Sequence, residues 1–191
     1  MMNISTRKTI RKYTQQPIPD ELLNRLLEEA SRTQTMGNLQ LYSVVVTRSQ
    51  EGKSALAPFH FHQPMVTNAP VVLTICADFR RVTDWCECRR AIPGYDNLLS
   101  FMNAATDALL YTQTFCNLAE EEGLGICYLG TTLYSSAQIA ECLHLPALTF
   151  PVATLTVGWP AEDPDLQDRL PLSSFVHQES YQPYTPELID Q

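Results

Sequence analysis

The chain has 191 residues, is 45% hydrophobic and carries a formal net charge of −8 at pH 7. That length and apolar content suffice for one well-buried domain. The acidic balance excludes the many phosphate contacts on which non-specific nucleic-acid binding depends. No apolar run approaches the roughly 20 residues needed to cross a bilayer, and Met1-Met2-Asn3-Ile4-Ser5 lacks the apolar core of a secretory signal. The expectation is a cytoplasmic protein with neither a membrane nor a nucleic-acid partner. Of six cysteines, Cys76, Cys116, Cys127 and Cys142 lie in apolar periodic segments, which suits reduced core residues better than a disulfide framework.

Near the start, Arg7-Lys8-Thr9-Ile10-Arg11-Lys12-Tyr13 places four cations within six residues. Such a cluster either reads an anion or is a solvated run. After Pro19, Leu22, Leu23, Leu26, Leu27 and Ala30 recur at helical spacing, predicting a helix over 20–32 with Asp20 as its N-cap. Thr35-Met36-Gly37-Asn38 is a polar turn; it serves either turn chemistry or a flat heterocycle that needs amide and hydroxyl donors. A buried strand follows over 41–47, rich in β-branched residues. A short helix at 50–56 precedes Phe59-His60-Phe61-His62-Gln63 and a turn of helix to Asn68. Residues 69–78 form a second buried strand with Pro70 near its start, where proline is tolerated. Phe79 to Arg90 reads as an exposed helix or ordered loop, and Pro93 to Asn97 as a break.

Leu98 to Glu122 is the longest periodic segment, apolar over most of its circumference, and predicts a central helix buried on several sides, in a core or against another subunit. Gly123-Leu124-Gly125 ends it. A short strand at 126–129, a tight Gly130-Thr131-Thr132 turn, a capped helix from Ser135 to Leu143 and a fourth strand at 151–157 complete the core. From Gly158 onward the chain contains five prolines and no long periodicity. Leu170, Leu172, Phe175, Val176, Tyr181 and Tyr184 are nevertheless too many apolar groups for a disordered end, so this tail is expected to wrap along an existing surface. The predicted class is α+β, one domain with a core at 1–157 and an extension at 158–191.

The chemistry-bearing motifs are few. His60, His62, Cys86 and Cys88 are ligand types that zinc accepts, but the one-residue gaps are tighter than usual. They read as surface histidines and incidental cysteines, and no metal is expected; a zinc-binding interaction domain is the competing reading. Gly123-Leu124-Gly125 lacks the third glycine and the strand-to-helix order of a dinucleotide fingerprint. No nucleophile has a local signature. Any reactive atoms are therefore expected on a cofactor, with the protein supplying position and electrostatics. Twelve of the thirteen Lys and Arg residues precede residue 91, and the remaining one is Arg169. It is either a surface ion pair or a group that holds an anion.

Together these segments resemble the FMN-dependent nitroreductase family over nearly the whole chain. Arg7 to Tyr13 is similar to the family's opening Arg-Arg-Ser-x-Arg-x-Phe/Tyr, and Thr35 to Gln40 to its Ser-Ser-x-Asn-x-Gln loop. Gly123-Leu124-Gly125 with Tyr128-Leu129-Gly130 resembles its Gly-Leu-Gly turn and strand end. Gly158-Trp159-Pro160 to Arg169-Leu170-Pro171 and Val176 to Tyr181 are most like the oxygen-insensitive NADPH nitroreductase and flavin reductase branch. The resemblance implies a nitroreductase-like sandwich: a mixed, mainly antiparallel central sheet flanked by helices, with the tail extending onto a partner. It also implies a homodimer with two FMN molecules at the interface.

Residue roles follow from the same resemblance. Arg7, Lys8 and Thr9 are expected to hold the FMN phosphate and ribityl chain with Arg169 and its neighbour Gln167. Arg11 is expected near the flavin N1/O2 edge, stabilising negative charge there as an oxyanion hole would. Thr35, Met36 and Asn38 would touch the ring from the other subunit. Gln63 would reach its polar edge, and Tyr128, Leu129, Gly130 and Thr131 would pass beside N5. No protein acid or base is required as a catalytic residue. Three departures stand out: Gln167-Asp168-Arg169 replaces Lys-Pro-Arg, Met36 replaces a Ser, and the chain stops at Gln191, where the branch carries a longer basic extension used for NADPH. The implied activity is ping-pong hydride transfer from NADPH or NADH to a small-molecule electron acceptor such as a nitroaromatic or quinone. A flavin or quinone reductase with little nitro activity, or an FMN-binding protein without turnover, are the alternatives.

Overall fold

Four strands, β1 (Tyr42–Thr47), β2 (Val71–Asp78), β3 (Gly125–Leu129) and β4 (Thr149–Gly158), form one sheet in the order β1-β2-β4-β3. The computed structural model describes residues 4–94 and 96–189. The readings made of residues 1–3, of Tyr95 in the Pro93 to Asn97 break and of the last two tail residues lie outside them. All three strand pairings are antiparallel, so the mixed sheet expected from the resemblance is corrected: among the described residues no parallel pair forms. Strands β2 and β3 do run in the same direction, but β4 lies between them and is antiparallel to both. Pro151 lies beside a register shift in the β2–β4 ladder, the kind of place where a strand tolerates a missing N–H.

Helices cover both faces of the sheet. Leu73, Ile75 and Ala77 of β2 pack with Leu23 and Leu26 of α1 (Asp20–Ala30) and with Ala108, Tyr111 and Phe115 of α5 (Leu98–Glu121). On the other face, Val72, Cys127 and Leu129 meet Leu56 of α2 (Gln50–Leu56), Val66 of α3 (Pro64–Asn68) and Ile139 of α6 (Ser136–Cys142). Burial on both faces explains why β2 reads as an almost unbroken apolar run. Each large aliphatic or aromatic side chain fully buried this way contributes about 1.5–3 kcal/mol.

Helix α5 begins where the Asn97 side chain accepts the Ser100 N–H at 3.0 Å. It ends at Gly123, whose φ of +83° favours glycine. There the Leu124 N–H donates to Ala119 O at 3.0 Å and the Gly123 N–H to Glu120 O at 3.1 Å, the paired bonds that close a helix through a left-handed residue. Only one face of α5 is buried. Leu98, Leu99, Met102, Leu109 and Leu110 are exposed, so of the two expected sources of burial, a core or another subunit, the chain itself supplies the first on one face only.

Smaller corrections are local. Helix α1 stops at Ala30, and Pro19, not Asp20, precedes it, with no side-chain cap bond; Asp20 instead opens the first turn, where an acid suits the helix dipole. Ser135 likewise precedes α6 without a side-chain cap. Arg80–Cys88 is a helix, α4. Strand β1 is an edge strand, half-exposed rather than buried. Cys76, Cys116 and Cys127 are buried as expected, while Cys142 is only half-buried. Beyond β4 the chain is irregular apart from a short turn at Leu172–Ser174 and a terminal helix, α7 (Pro186–Ile189). Leu170, Leu172, Phe175 and Tyr181 are exposed there, so the tail builds no core of its own. No helix among the described residues is long and apolar enough to cross a membrane.

Candidate functional site

The cationic N-terminal segment is strung along the start of β3 and the end of β4. The Ile10 N–H donates to Ile126 O at 3.0 Å, and the Ala161 N–H to Lys12 O at 2.9 Å. The Tyr13 hydroxyl donates to Ile10 O at 2.7 Å and meets the Thr156 hydroxyl at 2.7 Å. A Cβ on Gly125 would sit 2.7 Å from the Ile10 side chain, so the second glycine of the Gly-Leu-Gly turn is what lets the two segments touch. Glu162 accepts the backbone N–H groups of Arg11 (2.6 Å) and Lys12 (3.0 Å). Those bonds, the Arg11 one foremost, hold its carboxyl below the usual range.

This threading brings the two ends of the chain together. Arg7 lines a cleft of about 370 Å³ with Thr6, Lys8, Glu120, Gly125 and Asp163. It also lines a second, of about 470 Å³, with Ser5, Leu166, Gln167, Asp168 and Arg169. The isolated Arg169 thus shares a cleft with the N-terminal cluster, as the anion reading required. Arg7 Nε lies 3.1 Å from Glu120 Oε1, and Lys8 Nζ 2.6 Å from Asp163. Arg169 Nη1 donates to the carbonyls of Gln167 (3.3 Å) and Asp168 (2.8 Å). Thr9 is half-buried and Arg11 is exposed. Burial raises the pKa of the Cys127 thiol, and the charge of Arg11 partly lowers it.

A second group of expected residues lies elsewhere. The loop carrying Thr35, Met36 and Asn38 is pinned to the middle of α5 by Asp107, which is wholly buried. Its two carboxylate oxygens accept the N–H groups of Met36 (2.7 Å) and Leu41 (3.0 Å). Gly37, Asn38 and Gln40 have φ of 56°, 55° and 54°, left-handed positions on either side of right-handed Leu39, in a loop that Asp107 anchors. Asp107 and Glu120 are separated along α5 by about 20 Å at 1.5 Å per residue. None of the loop residues lines the cation clefts.

The third group sits at the end of β3. Tyr128 is exposed, Leu129 buried, Gly130 exposed and Thr131 half-buried. A Cβ on Gly130 would meet nothing within 4 Å. Half-buried Gln63 precedes α3, its N–H donating to His60 O at 3.1 Å. His60 corrects the reading of a surface histidine: it is wholly buried, and its Nδ1 lies 2.8 Å from the Thr131 hydroxyl. Burial lowers its pKa from 6.5 to about 4, so the ring is neutral. It ties the segment bearing Gln63 to the turn bearing Thr131.

Three residues of the site were missed in the sequence: Asp107, Glu120 and His60. Asp107 had a signal, being an acid inside an apolar helix. Glu120 was hidden in the run Glu120-Glu121-Glu122, which looks solvated. Among the described residues no group of three or more His, Cys, Asp and Glu could hold a metal ion. Burial pushes the thiols of Cys76 and Cys116 up to about 12, so neither offers a thiolate nucleophile.

The relationships of the chain agree with this geometry. The sequence profile of the nitroreductase family matches residues 4–159. An FMN reductase [NAD(P)H] of Bacillus subtilis is 30% identical over 183 residues, covering 94% of this chain and 73% of that protein. The oxygen-insensitive NADPH nitroreductase of Salmonella typhimurium is 30% identical over 182 residues, covering 95% and 74%. Among solved structures, a Bacteroides fragilis protein provisionally assigned as an oxidoreductase superposes with a TM-score of 0.95 at 61% identity, covering 96% of this chain and 75% of that one. A profile match over most of the chain, on the same strands and N-terminal segment that build the cation clefts, leaves one conclusion: the chain belongs to the nitroreductase family.

Proposed function

We propose that the protein is an FMN-dependent NAD(P)H oxidoreductase that reduces small electron acceptors, with nitroaromatics and quinones as the substrate class. The observation that carries this reading is the meeting of Arg7 and Arg169 in one cleft, from opposite ends of an acidic chain. The residues fit the cofactor. Arg7, Lys8 and Arg169 supply cations for a phosphate dianion, and open space over Gly130 leaves the end of β3 accessible to a flat ring. When bound, FMN would supply the two-electron carrier between the nicotinamide and the acceptor.

The chain's own work is to bind and orient. Arg7 and Arg169 hold the phosphate, with Lys8, Thr9 and Gln167 beside them. Arg11 places a cation where negative charge collects on reduction. Gln63 and the backbone from Tyr128 to Thr131 line the ring edge, braced by His60, and the Thr35, Met36 and Asn38 loop closes the site from a second copy of the chain. The exposed apolar side chains of α5, Leu98, Leu99, Met102, Leu109 and Leu110, support that homodimer, since large apolar groups clustered on one exposed helix suit an interaction surface. The exposed apolar groups after residue 158 support a tail reaching onto the partner beyond the 1–157 core. The free cysteines support a cytoplasmic location. No side chain is required as acid or base.

The test is direct. The purified protein should be yellow, with a flavin absorption spectrum, and should oxidise NADPH or NADH when given a nitrofuran or a quinone. A colourless protein that gains no flavin signal on incubation with FMN refutes the reading.

A further inference from the structure

We propose that Glu120 is a positioning residue for the phosphate site. It holds Arg7 through Nε, so that the guanidinium presents its two Nη groups to the phosphate. This rests on the FMN reading above and adds to it a residue that no motif assigns.

Glu120 lies on the last turn of α5 with its side chain only 9% exposed, and its Oε1 is 3.1 Å from Arg7 Nε. Its Oε2 is buried with no hydrogen-bond partner. Three features make this an unfavourable place for a carboxylate. It is desolvated, one oxygen is unsatisfied, and it faces the negative end of the helix dipole. The group is tied to a single cation, and that cation lines both the cleft containing Glu120 and the cleft containing Arg169. A guanidinium is a rigid plane of five N–H donors. With Nε committed to Glu120, the Nη pair is the part left to engage an anion in the cleft shared with Arg169. A lysine at position 7 keeps the charge but must share one nitrogen between Glu120 and the phosphate, without the rigid fork.

Charge and position predict opposite signs. As a charge, Glu120 repels a phosphate dianion, so its removal should tighten FMN binding. As the clamp on Arg7, its removal should loosen it. The experiment measures flavin fluorescence released on dilution of the holoenzyme. It is repeated after bound FMN is exchanged for riboflavin, which has the same ring and ribityl chain but no phosphate. Glu120→Ala is expected to weaken FMN by roughly tenfold, the scale of one charged hydrogen bond, and to leave riboflavin unchanged. Glu120→Gln, whose amide oxygen still accepts from Nε, should stay close to the parent. Arg7→Lys, which keeps the charge but not the fork, should bind FMN several-fold more weakly than the parent, a comparison that stands even if Glu120→Ala does not fold. Tighter or unchanged FMN binding in Glu120→Ala, equal losses of FMN and riboflavin, or an Arg7→Lys variant as tight as the parent would each overturn the proposal. A parent protein that takes up no flavin would instead overturn the FMN reading itself.

Discussion

Substituting Asp107 by alanine removes the two bonds that hold the Thr35 to Leu41 loop on α5. Both are charge-assisted, at 2.7 Å to Met36 N–H and 3.0 Å to Leu41 N–H, and such bonds are worth about 1.5–3 kcal/mol each. They are not equivalent. Leu41 is 1% exposed, so its N–H is left buried and unpaired, whereas Met36 is exposed and its N–H can return to water. The loss should therefore be about 2–4 kcal/mol, with the Leu41 bond the larger share. For a domain of this size each kcal/mol shifts the melting temperature by about 2–4 °C, giving a drop of roughly 5–15 °C. Asp107→Asn keeps one acceptor and should fall between. Thermal denaturation followed by circular dichroism measures both. A melting temperature for Asp107→Ala within about 2 °C of the parent would show that the loop does not depend on this carboxylate.

The remaining predictions concern the cofactor, the dimer and pH. Arg169→Ala should weaken FMN by at least about tenfold with riboflavin unaffected; unchanged FMN affinity would make this Arg a surface charge only. Asp168→Asn, which removes an acid lining the Arg7–Arg169 cleft, should tighten FMN in the same titration, most clearly at low ionic strength. Leu109→Glu with Leu110→Glu, on the exposed side of α5, should convert a dimer to a monomer in light scattering; a dimer that survives both changes would place the interface elsewhere. His60 has its pKa depressed from 6.5 to about 4, so its contribution is fully present above pH 6.5 and is lost as pH falls towards 4. That contribution amounts to about 3 kcal/mol at most. His60→Asn, whose amide can keep the Thr131 bond, should flatten the fall in stability between those pH values, and an unaltered pH profile would count against the assignment.

The strands and the long helix were legible because each has a periodicity that depends only on local geometry. Strand β2 and helix α5 declare themselves this way, and Gly123 marks the helix end because only a residue tolerant of positive φ fits there. Sheet order had no such signal. That β4 inserts between β2 and β3, making every pairing antiparallel, depends on how the α5 connection returns across the sheet. The apolar circumference of α5 left both a core and a second subunit open as what buries it, because composition does not distinguish a core from a surface that a second copy would cover.

The sequence alone determined the class of the fold, the family and the two candidate anion readers, Arg7 and Arg169. These rest on residue type and spacing, which a chain carries whatever its conformation. Tertiary structure decided that the two arginines share one cleft, that His60 is a buried neutral brace, and that Asp107 and Glu120 work as buried acceptors. A carboxylate or imidazole acquires its role from the groups packed around it: desolvation sets its charge state, and only neighbours distant in the chain supply that desolvation and the donors that answer it.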